Sequence, residues 1–202
     1  MLLMNLIKEA KDLGRWIHKK TNNRRYPGGV RGRTANAILQ QAMDIDDAIL
    51  ILLEARLPGP AWALARPLFE SYIRGFWILR YASDKELEKF NNGKPPDLPT
   101  ILRAIGNDNV SGSEWIQNSI NAHWKAFCDL THGGSEHVKR RNTRTTVEPM
   151  YSERELGGLI RNGIEIRMRI AAEWLSLLKD ENALEQLDEK ARLFRVSSSQ
   201  GR

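Results

Sequence analysis

The 202-residue chain contains a single cysteine, Cys128, and no long apolar stretch. One thiol excludes an intramolecular disulfide and a zinc site built from several cysteines. No apolar run approaches the roughly 18–20 residues that a membrane-spanning helix requires. Near the N-terminus, the charged residues Lys8, Glu9, Lys11 and Asp12 occupy the stretch where a signal peptide needs its apolar core. We therefore expect a cytoplasmic protein that is not an integral membrane protein.

The chain also lacks several motifs that mark common enzyme classes. It contains no Gly-x-Gly-x-x-Gly, no Walker phosphate-binding loop and no Gly-x-Ser-x-Gly. Their absence disfavours a dinucleotide-dependent oxidoreductase, a nucleotide-driven motor and an α/β-hydrolase. The few histidines and their neighbouring carboxylates give only a weak metal-ligand pattern. We expect neither a metal ion nor another cofactor.

Helical periodicity is present along most of the sequence, and no strand pair is predicted. Apolar residues recur at three and four positions in a first helix from Leu3 to Ile17, and Thr34 is placed to cap a second helix. The Pro-Gly-Pro turn at 58–60 ends this second helix, and a third continues to about Ala82. So tight a connection favours an antiparallel hairpin. Residues 152–178 predict another long helix.

These patterns predict an all-α, single-domain helical bundle that is built on the long antiparallel hairpin at 34–82. We divide the chain into three parts, which are a basic N-terminal helix and loop (1–33), the bundle core (34–180), and a C-terminal helix with a frayed tail (181–202). The last six residues, SSSQGR, form the frayed tail, whereas the first and last helices carry apolar stripes that suit packing on the core or across a two-fold dimer.

Positive charge is unevenly distributed. The whole chain has a formal net charge of +6, whereas residues 1–33 alone hold nine basic side chains against two acidic ones. Clustered Lys and Arg beside Asn, Gly and Tyr are typical of a surface that follows a phosphate backbone, although a solvated loop has the same composition. The candidate residues for binding RNA or another polyanion are Arg24, Arg25, Arg31, Arg33, Lys139, Arg140 and Arg141.

The third predicted helix carries three charges within apolar sequence. Arg66, Glu70 and Arg74 are spaced by four residues, so their side chains share one helix face. Charges on a central helix must be paired, and Glu70 is placed to serve both arginines. Pro67 either kinks this helix or marks where it starts again. The group predicts either an internal ion-pair ladder or the floor of a pocket where arginine holds an anionic group.

A second candidate lies at the end of a later helix, where His132 is followed by two glycines. Glycine allows a ligand or backbone to approach closely. Asp129 lies three residues earlier and is a candidate to orient the ring. A histidine that exchanges protons beside an arginine that holds phosphate is the minimum for RNA cleavage without a metal. The alternative is a structural histidine that ends its helix.

These residues resemble uncharacterised bacterial helical families. The shared features are an alanine-rich turn before an Arg-Pro-Leu-x-Glu helix, here Arg66 to Glu70, and a later His-Gly, here His132-Gly133. Such families are similar to the HEPN group of helical proteins, whose members include ribonuclease toxins and phage-defence effectors that act as homodimers. Catalytic HEPN domains place Arg five to seven residues before His on one helix, and no arginine here has that spacing.

The resemblance implies a toxin or phage-defence type protein that acts on RNA as a metal-independent ribonuclease. In that hypothesis His132 is the acid or base, Arg66 and Arg74 hold phosphate, and Glu70 organises them. A homodimer and a partner protein or antitoxin are implied with it. Two alternatives stay open. One is a non-catalytic module that binds nucleic acid or protein, and the other is a peripheral membrane protein anchored by the first helix.

Overall fold

The computed structural model describes residues 2–106 and 113–199, so the end of the predicted tail, 200–202, lies outside the described residues. Within those two ranges the regular elements are helices, and one isolated bridge pairs Asn142 with Val147. The prediction of an all-α fold is confirmed. The helices are α1 Leu2–Thr21, α2 Gly29–Glu54, α3 Pro58–Ala63, α4 Ala65–Arg80, α5 Asp84–Asn91, α6 Leu98–Gly106, α7 Ser113–Thr131, α8 Ser135–Lys139, α9 Glu153–Leu177 and α10 Glu181–Ser199.

Helices α2 and α4 form the predicted antiparallel hairpin. Arg31 in the first turn of α2 donates to the carbonyl oxygens of Ile78, in the last turn of α4, and of Ala82, just after that helix. The C-terminal end of α2 leads through the short α3 into the start of α4. These two helices make the most extensive pairing in the described part of the chain.

Two helix boundaries differ from the prediction. Helix α2 begins at Gly29, so Thr34 is an interior residue and not a cap, and its hydroxyl donates to the side-chain oxygen of Asn91 at 3.2 Å. The predicted third helix is divided at Leu64 into α3 and α4. Pro67 explains the division, because it lacks an N–H and is tolerated in the first turn of α4, where that group needs no helical partner.

Two short helices, α5 and α8, are missing from the sequence prediction. The signal for α5 is present, because Ser83 and Glu86 form a capping box in which each side chain accepts from the other residue's backbone N–H. The same motif, Ser152 with Glu155, starts α9 at the predicted place. Capping pairs therefore locate helix starts here more reliably than a lone threonine.

Helix α9 packs against α1, α10, α2 and α4, and most residues of its middle turns are buried. The apolar stripe of α1, including Leu6 and Ile7, belongs to the same core. None of the helices in the described ranges is both long and apolar enough to cross a membrane. The packing of α1 on α9 is the reason that its apolar side chains are withdrawn from solvent.

A buried ion pair joins α2 to α9. Arg167 and Asp46 are each 1% exposed, and the Nε of Arg167 donates to the Asp46 carboxylate. Nη2 of the same guanidinium donates to Asp47 at 2.6 Å, and Asp47 lies at the edge of the pair with 58% of its side chain exposed. The two consecutive carboxylates of Asp46 and Asp47 thus bond one arginine that lies about 120 residues later in the chain.

Close approach at two glycines makes room for this pair. A Cβ at Gly163 on α9 would overlap the Asp46 carboxylate, and a Cβ at Gly14 on α1 would lie 2.5 Å from Nη1 of Arg167. Real Cβ atoms do not approach other atoms so closely. The ion pair therefore depends on all three helices α1, α2 and α9, and it sets their spacing.

Replacement of Asp46 by alanine should strongly destabilise the fold. The variant leaves the buried Arg167 charge without its closest partner, a change that costs about 3–5 kcal/mol in the free energy of unfolding. Asp44→Ala is the matched control, because Asp44 is an exposed residue of the same helix and bonds only Gln40 among the described side chains. Urea unfolding of both variants should separate them, and equal losses of stability would contradict a structural role for the buried pair.

Candidate functional site

The first half of α4 presents Arg66, Glu70 and Arg74 on one face. Nε of Arg66 donates to one Glu70 oxygen at 2.7 Å, and Nη1 of Arg74 donates to the other at 2.5 Å. The prediction that Glu70 serves both arginines is confirmed. Two guanidinium groups and one carboxylate leave the cluster with an excess of positive charge, which is partly shielded from water.

The two arginines change the acidity of Glu70. Partial burial works to raise its pKa, but the hydrogen bonds from Arg74 and Arg66 outweigh burial and hold the pKa below its ordinary value of 4.5. The carboxylate is therefore ionised at neutral pH and keeps both guanidinium groups in place.

Helix α7 ends against this cluster. The Thr131 hydroxyl lies 3.2 Å from the carbonyl oxygen of Ala63 and 2.8 Å from that of Phe127, so it ties the last turn of α7 to the α3–α4 junction. Gly133, with a φ of 69°, then turns the chain, as predicted for a glycine at a helix end. This geometry brings the next residue after Thr131, His132, over the face of α4.

His132 and Arg66 are in direct contact. Nη1 of Arg66 lies 2.7 Å from Nε2 of His132, although 66 residues separate them in sequence. Arginine has only donors, so Nε2 accepts this hydrogen bond. This hydrogen bond therefore uses the tautomer that carries its proton on Nδ1. The pairing supplies the histidine and arginine that the sequence alone could not place together.

Trp124 is part of the same site and was missed as a functional residue. The Cζ of Arg66 lies 5.1 Å from the centre of the Trp124 ring, which is a cation–π contact. Trp124 lies on α7, eight residues before His132, which comes just after the end of that helix. The half-buried ring of Trp124 lies against the Arg66 guanidinium, which also contacts Glu70 and His132.

Asp129 does not act as the expected partner of His132. Its carboxylate accepts from the backbone N–H of Glu136 and lies 3.4 Å from the Ser135 hydroxyl, so it caps the start of α8. His137 is also turned inward, toward the carbonyl oxygen of Leu130. The α7–α8 turn is therefore held by its own side chains, and Arg66 is the residue that orients His132.

A shallow pocket of about 300 Å³ opens beside the cluster and is lined by Arg66, Pro67, Glu70, Ser71, Arg74 and Thr131. Guanidinium and hydroxyl groups dominate its polar lining, and these groups donate hydrogen bonds to phosphate and carboxylate. Within the described residues, no three side chains of His, Cys, Asp or Glu converge so that they could hold a metal ion. The site is chemically suited to an anion beside a neutral imidazole.

The basic residues of the N-terminal segment lie at the far end of α4 from His132. Arg31 is held by Ile78, Ala82 and, at 2.7 Å, by Asp84. The length of α4 separates this place from Arg66 by about 22 Å. Arg24 is 3.5 Å from Asp180, while Arg25 and Arg33 are exposed.

The second basic group lies nearer to the site. Lys139 bonds Glu136 at 3.0 Å, and Arg140 bonds Glu136 and, at 3.0 Å, Glu155. Arg141 lies against Gly59 at the start of α3, since its Nη2 is 2.8 Å from the position of a Cβ there. Helix α3 runs from this point to the start of α4, so the length of this short helix separates Arg141 from the first residues of α4.

Residues 39–196 match the model of a family described as a family of unknown function, DUF6988, and the match covers well over half of the chain. The chain belongs to this family. The part of the chain that matches DUF6988 includes α4 with its three charged residues, Trp124 and His132, and it leaves α1 outside. Comparison with curated proteins and with solved structures gave no significant match.

The contribution of Glu70 to stability should depend on pH. Because its pKa in the folded protein is lowered, the stabilisation is fully present above its ordinary value of 4.5 and is lost as the pH falls through the folded-state pKa. The free energy of unfolding of wild type minus that of Glu70→Gln should therefore shrink between about pH 6 and about pH 3. Urea unfolding at several pH values measures this difference.

Glu88→Gln is the matched control for that experiment, because Glu88 is an exposed glutamate on α5. Its difference from wild type should stay small across the same pH range, within about 0.5 kcal/mol. A wild-type-minus-Glu70→Gln difference that does not change with pH would contradict the ion-pair role of Glu70.

Proposed function

We propose that this protein is a metal-independent endoribonuclease whose active centre is the Arg66–His132 pair. The observation that carries the proposal is the 2.7 Å contact between Nη1 of Arg66 and Nε2 of His132. It joins a group that holds phosphate to a neutral imidazole with a basic nitrogen. Arg74 adds a second guanidinium, and Glu70 keeps both arginines oriented.

The chemistry needs only these groups, RNA and water. A phosphodiester attracts Nη1 of Arg66, which moves from the ring to a phosphate oxygen and leaves the lone pair of Nε2 free. Nε2 of His132 then takes the proton of the 2′-hydroxyl while the 2′-oxygen attacks phosphorus. The bond from phosphorus to the 5′-oxygen breaks, and that oxygen takes a proton from water. The hydroxide left from that water takes the proton from Nε2 of His132, which restores the ring to its starting state. The products are a 2′,3′-cyclic phosphate and a 5′-hydroxyl, and the guanidinium stabilises the charge on the phosphate oxygens.

In this proposal, RNA is bound chiefly by basic residues on the α3 side of the site. Arg141 lies at the start of α3, about 10 Å along that helix from the start of α4. Arg144 is exposed in the same basic segment. The N-terminal arginines lie at the far end of α4, so a strand bound at His132 has to extend over several nucleotides to reach them.

The proposal also includes the HEPN-like arrangement and the biological roles that the family resemblance implies. The α2–α4 hairpin and a histidine at the end of a later helix support a HEPN-like arrangement, which differs from the catalytic HEPN pattern in that arginine and histidine here come from two different helices. A toxin or phage-defence role, a homodimer and a partner protein such as an antitoxin follow from the same likeness. Each of them depends on RNA cleavage being found.

Loss of His132 should abolish cleavage and leave RNA binding intact. His132→Ala removes the general base, so the rate with labelled single-stranded RNA in EDTA should fall by about 10²–10⁴-fold. Arg66→Lys keeps the charge but loses the planar fork that holds phosphate, and should lower the rate roughly a hundredfold. Cleavage and filter retention are read from the same samples.

His123→Ala is the control, because His123 is another exposed histidine of α7. The His123→Ala variant should cleave the RNA at the wild-type rate. The ends of the RNA products should be a cyclic phosphate and a 5′-hydroxyl. RNA that is retained but never cut would refute the nuclease and would instead support the non-catalytic binding module. Cleavage that survives in His132→Ala would mean that another site or a contaminant carries it.

A separate prediction concerns which basic residues bind the RNA. The double change Arg141→Gln with Arg144→Gln should weaken RNA retention and reduce the slope of log K against log salt by about one for each phosphate that is no longer neutralised. Arg25→Gln with Arg33→Gln removes the same charge at the far end of α4 and should affect short oligonucleotides less. Equal weakening of retention on a short oligonucleotide would contradict a grip on the α3 side.

A further inference from the structure

A polar groove lies between α1 and α2, with α9 as its floor, on different helices from the Arg66–His132 pair. One part has a volume of about 520 Å³ and the adjoining part about 380 Å³. The two parts adjoin, because both are lined by His18, Thr21, Gln40 and Trp174. Such volumes are in the range of small-molecule pockets. The ribonuclease proposal makes no use of this groove.

The floor of the groove holds a buried cation with an unused donor. Arg167 lines the groove although its side chain is only 1% exposed. Asp46 and Asp47 engage its Nε and Nη2, whereas Nη1 lies over Gly14, and no acceptor among the described residues bonds it. Because Gly14 has no side chain, Nη1 fits against α1 at a place where a Cβ would lie only 2.5 Å away. A fixed arginine donor of this kind is suited to an anionic group.

A second donor in the groove also lacks a partner. The Asn36 side-chain oxygen accepts from Nε1 of Trp174 at 3.0 Å, which fixes the orientation of the amide. Its Nδ2 is buried and has no hydrogen-bond partner among the described residues. A buried donor without a partner is unfavourable, and an acceptor atom of a ligand would satisfy it. Asn36 therefore marks a second contact point along the groove.

The charge of the lining is predominantly positive. Lys11, Arg15 and Arg24 line the groove, and His18 lies at the junction of its two parts. Each of the three permanent cations has a carboxylate neighbour, but those carboxylates, Glu54, Asp12 and Asp180, are not part of the lining. Asp47 is the acidic residue of the lining, and Arg167 occupies one of its oxygens. These cations keep donor N–H groups that their carboxylate partners do not use, and such donors bind anionic groups.

We propose that the groove between α1 and α2 binds a small organic anion that carries a carboxylate or phosphate group. The anionic group lies between Arg15, His18 and Nη1 of Arg167, and an acceptor atom of the same molecule meets Nδ2 of Asn36. The two donors lie below the surface, one on α9 and one on α2, so a small molecule fits them better than the backbone of a polymer does. Ile17, Met43 and Trp174 supply apolar surface for the body of the ligand.

The test uses the full chain and three probes, which are inorganic phosphate, glycerol 3-phosphate and citrate, each at fixed ionic strength against chloride. Calorimetry gives the affinity, and amide chemical shifts give the place. At least one probe should bind in a saturable one-to-one manner and shift the amides of Gly14 and Asn36. Arg15→Gln and His18→Gln should each weaken that binding roughly tenfold, as expected when one charge-assisted hydrogen bond is removed.

Two controls separate this site from general charge effects and from the ribonuclease. Lys85→Gln makes the same charge change on the exposed face of α5 and should leave the affinity unchanged. His132→Ala should also bind the probe as wild type does, because the two sites share no residue. Asn36→Asp keeps the oxygen that Trp174 needs and replaces the donor by a negative charge, so it should abolish binding of the anion.

Three results would overturn the proposal. One is the absence of saturable binding for all three probes. Another is a fall in affinity in Lys85→Gln as large as that in Arg15→Gln, which would mean non-specific attraction. The third is a set of shifted amides confined to α4 and α7, which would place the anion at Arg66 and His132. RNA cleavage is measured separately, so its failure leaves this result interpretable.

Discussion

The buried pair of Asp46 and Arg167 is the interaction that fixes how the helices are arranged. It joins α2 to α9 at a place where neither charge reaches water, and the glycines on α1 and α9 leave the space that it occupies. An unpaired charge there would be strongly unfavourable, so the three helices can approach only in the register that pairs them. Helix α4 packs on α2 and takes its position from the same constraint.

The candidate site also depends on arginines that are paired with a carboxylate, although this site is partly exposed to water. Two arginines on α4 share one carboxylate, so each guanidinium keeps donors that Glu70 does not use. The spare donor of Arg66 meets His132, and the ring of Trp124 lies over the same guanidinium. In the groove, Arg167 is likewise bonded by two carboxylates, and its Nη1 has no acceptor among the described residues. Both proposed sites thus use an arginine that is held firmly by acidic partners.

Particular elements show what sequence reasoning could reach. The bridging role of Glu70 was predictable, because residues four apart on a helix are always neighbours. The α2–α4 hairpin was predicted from a Pro-Gly-Pro turn between two apolar periodic segments. The hairpin is present, but Pro58, Gly59 and Pro60 begin helix α3, and the turn is made by residues 55–57. Helices α5 and α8 were missed because short helices carry little periodicity. The supposed partnership of Asp129 with His132 failed because the nearby backbone N–H of Glu136 takes the carboxylate instead.

Local spacing, turn residues and the periodicity of apolar side chains are enough to specify the helical class, the hairpin and the charged face of α4, so these features can be read from the chain before it is folded. Three others arise only when the helices dock: the contact of His132 with Arg66, the burial of Arg167 beside Asp46, and the placing of the two basic segments at different ends of the bundle. These features join residues far apart in the chain. They depend on how whole helices pack, and no local pattern records that geometry.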